Sequence, residues 1–175
     1  MNNEFFARKM DLRFDTFDAD KDGVISRDDF VRMGSRVLEA FGLAADSPKG
    51  RAVLDGGDRF WENLAGAADT DLDGTLTREE FRRGATELLR GTPQGFAQTA
   101  RPWTEAVIAA ADTDDDGRLS SDEYSGMLRA MGADEEAVRN IASHVTDPNN
   151  SVSTDAVLRA ALSFYTNDKP AAPAT

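Results

Sequence analysis

The sequence predicts an all-α fold assembled from helix–loop–helix units. Two observations support this prediction: acidic stretches with one rhythm recur at Asp18, Asp69 and Asp112, and apolar residues at helical spacing flank each of them. No long alternating pattern typical of strands is present. With 175 residues and 40% hydrophobic residues, the chain can form one compact globule or two closely packed halves.

The helices are predicted from apolar residues spaced three and four apart, which form one face of an α-helix. Taken before and after each acidic stretch in turn, these residues are Met10, Phe14 and Phe17, then Phe30, Met33 and Val37; Trp61, Leu64, Ala65 and Ala68, then Phe81, Ala85 and Leu88; Val107, Ile108 and Ala111, then Tyr124, Met127, Leu128 and Met131. The start of the third entering helix has two interpretations. Pro102 is either its first residue or a kink in a longer helix that begins near Thr92.

A fourth unit is predicted around the stretch TDPNNS, which begins at Thr146. The residues that flank it at helical spacing are Val138, Ile141, Ala142 and Val145, then Val152, Val157, Ala160, Ala161 and Phe164. Four units group naturally into two pairs, and GTPQG at 91–95 has the composition of a break. We therefore expect an N-terminal pair at 1–92, a C-terminal pair at 93–167 and a disordered tail at 168–175.

The acidic stretches DADKDGVISRDD, DTDLDGTLTREE and DTDDDGRLSSDE match the EF-hand calcium loop, D-x-D-x-D-G with an acid at position 12. A single such run could be a solvated turn, but three of them with helical flanks favour cation binding. Oxygen ligands are expected from positions 1, 3, 5, 7, 9 and 12, with a backbone carbonyl at 7 and a water-mediated contact at 9. These residues are Asp18, Asp20, Asp22, Val24, Ser26 and Asp29; Asp69, Asp71, Asp73, Thr75, Thr77 and Glu80; and Asp112, Asp114, Asp116, Arg118, Ser120 and Glu123.

Two details differ between the loops. Position 12 of the first loop is Asp29, one methylene shorter than glutamate, so Mg²⁺ is expected to compete most effectively at that site. The fourth loop begins at Asp147 but lacks the glycine at the turn and has Ala156 where the last ligand would stand. We therefore expect the fourth unit to be structural, with Val152 bridging to Leu119 of the third loop.

The chain to about residue 167 resembles four-EF-hand proteins of the sarcoplasmic calcium-binding type, and among them the bacterial calerythrins. The resemblance rests on the loop motifs, the length and the aromatic-rich first helix EFFARKMDLRFDTFD. It implies two EF-hand pairs packed together in one compact globule. It also implies a cytoplasmic calcium buffer or signal modulator without catalysis, with ligand roles on the twelve acids of loops 1 to 3.

Composition limits the other classes of function. The formal net charge of −12 disfavours nucleic acid and anionic membranes as partners, and the absence of cysteine excludes thiolate chemistry. His144 is a lone histidine without a nucleophile motif, so no enzyme is expected. The sequence favours a monomeric calcium buffer that binds three Ca²⁺ ions. A calcium sensor that exposes an apolar surface to a protein target is the alternative.

Overall fold

The computed structural model describes residues 3–90, 93–145 and 150–166. They form a largely helical fold, which confirms the all-α prediction. In chain order the elements are α1 Asn3–Phe17, β1 Ile25–Ser26, α2 Arg27–Ala40, α3 Pro48–Ala68, β2 Thr75–Leu76, α4 Arg78–Ala85 with a π-helical continuation at Thr86–Arg90, α5 Pro93–Thr99, α6 Arg101–Ala111, β3 Arg118–Ser120, α7 Ser121–Ala130, α8 Glu135–Val145, β4 Ser151–Ser153 and α9 Thr154–Thr166. Within these ranges no helix is both long and apolar enough to cross a membrane.

Proline and serine define where the entering helices begin. At α3, the Ser47 hydroxyl accepts the Gly50 N–H at 3.0 Å, and Pro48 takes the first helical position, where its missing N–H is not needed. At α6, Pro102 is the second helical residue, after Arg101. A separate helix, α5, precedes it. The third entering helix therefore begins close to Pro102, as one interpretation held. Helical structure also starts near Thr92, as the other held, and is interrupted at Ala100.

Short antiparallel bridges connect the loops two by two. Ile25 pairs with Leu76 in one bridge, and Leu119 pairs with Val152 in the other. The predicted partnership of Val152 with Leu119 is confirmed. Each bridge places its apolar residues in the core, because successive strand residues point to opposite faces. The predicted boundary at 92/93 and the predicted tail at 168–175 lie outside the described residues.

An aromatic cluster at the centre of the core joins helices from both predicted pairs. Trp103 of α6 lies 5.3 Å from Phe30 of α2 and 5.4 Å from Phe60 of α3, measured between ring centroids. Phe17 of α1 packs against the same rings. Trp103 is only 3% exposed. The apolar face of the first two hands is therefore covered by α6 of the third hand.

The methionines that could line an exposed groove lie within this packing. Met10, Met33 and Met127 are buried, and Met131 is partly buried against the core. These positions agree with the predicted core faces. Trp61 is also buried in the core, as predicted. A flexible, polarizable methionine surface, which promiscuous binding proteins use, is therefore not formed by these residues in this conformation.

Arginine–aspartate pairs join the two hands of the first pair. Arg27, at the start of α2, pairs with Asp58 of α3 through two hydrogen bonds of 2.5 and 2.8 Å. Arg78, at the start of α4, donates to Asp15 of α1 at 2.6 Å and lies 4.3 Å from the centroid of the Phe14 ring. Each exiting helix is thus attached at its first residue to the entering helix of the other hand.

Candidate metal centres

The aspartates at positions 1, 3 and 5 come together in each of the first three loops. One carboxylate oxygen from each member lies within 4.8 Å of those from the other two. The three groups are Asp18, Asp20 and Asp22; Asp69, Asp71 and Asp73; and Asp112, Asp114 and Asp116. Since Ca–O bonds measure about 2.3–2.6 Å, oxygens up to about 5 Å apart can share one calcium ion. The geometry fits a hard cation in all three loops.

The position-1 carboxylates organise the turns. Asp112 accepts the N–H groups of Asp116 at 3.1 Å and Gly117 at 3.0 Å, and Asp18 accepts the equivalent pair in the first loop. Asp69 Oδ2 accepts the Gly74 N–H at 3.1 Å, whereas its buried Oδ1 has no donor among the described residues. A buried carboxylate oxygen without a donor is costly, and a cation would satisfy it.

The backbone repeats the same turn in each loop. The residues at position 4 have left-handed conformations, with φ of 64° at Lys21, 60° at Leu72 and 57° at Asp115. The glycine at position 6 follows with a positive φ, which is 79° at Gly117. Glycine adopts this conformation without a Cβ clash, so the chain can fold back around the cluster. The loops are therefore shaped alike despite their different sequences.

The acid at position 12 is fixed by the loop backbone in each case. Glu123 accepts the N–H of Thr113 at 2.9 Å on one oxygen and the N–H of Ser120 at 2.9 Å on the other. Glu80 and Asp29 make the same pair of bonds within their own loops. A carboxylate has about four lone-pair sites, and in Glu80 and Glu123 threonine and serine hydroxyls occupy the two that the backbone leaves free. A bound cation would therefore replace these hydroxyl bonds.

These hydrogen bonds lower the pKa values of the two glutamates. The bonds from Thr77 and Thr70 lower the pKa of Glu80 to about 2. Burial raises the pKa of Glu123, but the bonds from Thr113 and Ser120 outweigh it, and this pKa also falls to about 2. Hydrogen bonds to a carboxylate favour its charged form. Both side chains are therefore ionised at neutral pH, as a calcium ligand must be.

Asp29 reaches the same backbone partners as the longer glutamates. It accepts the Ala19 N–H at 2.9 Å and the Ser26 N–H at 2.7 Å, and it is only 1% exposed. The shorter side chain is therefore compatible with the shared loop geometry. The expectation that Mg²⁺ competes most effectively at this site stays a prediction.

The expectation for the side chain at position 7 agrees with the structure, whereas the expected water-mediated role at position 9 is not tested. The Arg118 guanidinium donates to the Ser151 hydroxyl at 2.8 Å, consistent with the expectation that its charge need not face an ion. The hydroxyl of Ser120, at position 9, donates to Glu123 at 2.9 Å and accepts the Glu123 N–H at 3.3 Å. Ser26 and Thr77 donate similarly to the acids of their loops. These hydroxyls therefore hydrogen-bond to the position-12 carboxylates. Their water-mediated contact with an ion stays a prediction.

Sequence reasoning missed the threonines at position 2. Thr70 and Thr113 donate hydroxyl and backbone hydrogen bonds to Glu80 and Glu123. The first loop has Ala19 at position 2, so Asp29 receives only the backbone bond there. The signal was present in the sequence, since both loops that end in glutamate have threonine at position 2.

The structure describes only part of the fourth loop. Asp147 and Pro148 lie outside the described residues, and so does the side chain of His144. Asn150 follows with a φ of 58°, and β4 then pairs with β3. The described part of the fourth unit thus forms the bridge to the third loop. Its expected lack of calcium binding stays a prediction.

Comparisons with known proteins agree with this geometry. The EF-hand family model matches residues 10–34, 66–85 and 104–128, and each segment contains one of the three loops. Calerythrin from Saccharopolyspora erythraea is 26% identical over 167 residues, which cover 94% of each chain.

Solved structures extend the similarity. A calcium-binding protein from Streptomyces coelicolor is 38% identical, with a TM-score of 0.80 over 92% of this chain and 98% of that one. The coelenterazine-binding protein of Renilla muelleri, at 24% identity, shares the fold with a TM-score of 0.65 over 97% of this chain and 92% of that one. The repeated loop geometry, the family match and the full-length Streptomyces relative lead to one conclusion: the chain belongs to the EF-hand family of calcium-binding proteins.

Proposed function

We propose that this protein is a calcium buffer that binds three Ca²⁺ ions, one in each of loops 1 to 3. In each loop the aspartates at positions 1, 3 and 5 would hold the ion together with the acid at position 12. Three divalent ions would halve the formal net charge of −12. Because binding relieves repulsion among the loop acids, we expect binding and folding to be coupled.

The buffer role rests on the covered apolar surfaces. A sensor must present a different surface after binding its ions, because a ligand shifts an equilibrium only through differential affinity. In this fold the apolar face of the first two hands packs on Trp103, and a Cβ added at Gly56 would lie only 3.1 Å from that residue. The site where a sensor would receive its target is filled by the chain itself.

A calcium sensor is the second candidate. The Streptomyces coelicolor relative is described as acting in prokaryotic calcium-mediated regulation. The sensor function requires that calcium loosens the contact between the hand pairs and exposes apolar area to a target protein. The two roles therefore differ in a measurable surface property.

Fluorescence of a hydrophobic dye tests the buffer proposal. We expect the fluorescence to stay flat or to fall when calcium is added to the calcium-free protein, because loop repulsion loosens the ion-free state and burial increases on binding. Potassium chloride at the same ionic strength is the control for nonspecific charge screening. A calcium-specific rise, accompanied by calcium-dependent retention on an apolar resin, would replace the buffer with the sensor.

A further inference from the structure

Lys49 of α3, in the N-terminal half, contacts the third loop, in the C-terminal half. Its ammonium donates to the backbone carbonyl of Asp112 at 2.7 Å and pairs with Asp115 at 2.7 Å. Asp112 is position 1 of the loop and the C-cap of α6. A residue of the second hand thus contacts the first ligand residue of the third hand.

The first two loops receive the corresponding cation from their own hands. Arg36 of α2 donates to the carbonyl of Ala19 at 3.0 Å, and Arg83 of α4 donates to the carbonyl of Ala68 at 2.7 Å. Carbonyls at the end of a helix lack intrahelical partners and carry partial negative charge, so a cation there is favourable. In each of the three hands, a cation thus bonds to a carbonyl within two residues of the end of the entering helix.

The third hand has no such cation available on its own exiting helix. The position equivalent to Arg83 is Gly126, and a Cβ added there would lie 3.5 Å from the Phe41 ring at the end of α2. The basic residue of α7, Arg129, pairs with Glu135 at 2.5 Å. Gly126 thus lacks the charged side chain that Arg83 has in the second hand, and Lys49 provides the charge from the other half.

Two local features are unfavourable without this contact. Lys49 is the second residue of α3, where the positive end of the helix dipole disfavours a cation, and the first turn of α3 contains no acid. Asp115 adds an acid at position 4 of the third loop, where the other loops have Lys21 and Leu72. Lys49 has no acid in the first turn of its own helix, and Asp115 adds a negative charge to an acidic loop. The ion pair between the two residues offsets both effects.

We propose that Lys49 lowers the calcium affinity of the third loop and links that site to the N-terminal half. This inference rests on the proposed calcium binding at that loop. The ammonium stabilises the cluster of loop acids before an ion arrives and repels the divalent ion once it is bound. By thermodynamic reciprocity, calcium in the third loop weakens the contact of Lys49 with it. The contact therefore gives the N-terminal half a means of responding to occupancy of the third site.

Calcium titration of the Lys49→Gln variant tests this proposal, followed at the amide resonance of Gly117. That N–H bonds to Asp112 within the third loop, and the Gly74 amide reports on the second loop in the same spectra. We expect the Kd of the third loop to fall about two- to five-fold at low salt, and less at high salt. The Kd of the second loop is expected to stay unchanged.

Two control variants isolate the charge and its position. Lys49→Arg keeps the charge and should retain the wild-type Kd within about a factor of two. Arg51→Gln removes a cation from an exposed position of the same helix and should shift the Kd much less. An unchanged or higher Kd in Lys49→Gln, or an equal shift in Arg51→Gln, would overturn the role of Lys49. If the Gly117 resonance of the wild type does not shift when calcium is added, the proposed calcium binding at this loop is wrong as well.

Discussion

Replacing Trp103 with alanine is expected to lower the free energy of unfolding by about 3–5 kcal/mol. The indole is 3% exposed, and its ring packs against Phe17, Phe30 and Phe60 of three other helices. Truncation leaves a cavity where the two halves meet, and the surrounding rings can relax only partially. Urea unfolding at a fixed calcium concentration measures the effect, because bound calcium itself stabilises the fold.

Trp103→Phe is the matched control. It keeps an aromatic ring and removes the indole N–H, which has no acceptor among the described residues. Loss of ring volume destabilises and removal of an unsatisfied buried donor stabilises, so we expect a net change below about 1.5 kcal/mol. A loss below about 1 kcal/mol in Trp103→Ala would show that the halves are not joined through this residue.

Val152→Asp is expected to destabilise the C-terminal half by about 3–5 kcal/mol, because it buries a charge without a partner. Val152 is 1% exposed and pairs with Leu119, which directly precedes Ser120 of the third loop. Loss of the bridge should therefore also weaken calcium binding in the third loop. Urea unfolding and calcium titration of the same variant measure both effects.

Ser153→Asp places the same charge one residue further along the strand. Neighbouring strand residues point to opposite faces, and Ser153 lies opposite Arg118 in the register. Its hydroxyl accepts the Ala156 N–H at 3.2 Å, a capping bond that aspartate can also make. We expect a change within about 0.5 kcal/mol. Equal losses in the two variants would show that added charge, rather than burial, disrupts the bridge.

The features encoded by neighbouring residues could be predicted from the sequence. The loop acids and the position-6 glycines are fixed by local spacing, and the pairing of Leu119 with Val152 was predicted from their equivalent places in neighbouring loops. The helical periodicity likewise identified Trp61 as a core residue. These predictions succeeded because each depends on a periodicity or a turn that a short segment determines.

Contacts between distant segments could not be predicted in this way. The pairing of Arg27 with Asp58 and the contact of Lys49 with the third loop depend on how helices pack together. Charged residues on exposed helix faces have many candidate partners, so spacing alone does not select one. The break between α5 and α6 was left open for a related reason, because Pro102 is compatible with both a helix start and a kink.

Calcium stoichiometry tests the central claim most directly. Equilibrium dialysis at saturating free calcium counts the bound ions per chain without reference to any conformational change. Three loops with acids at positions 1, 3, 5 and 12 predict three bound Ca²⁺ ions. Two ions would show that one of these loops is inactive, and four would show that the loop beginning at Asp147 binds calcium; either result would contradict the account.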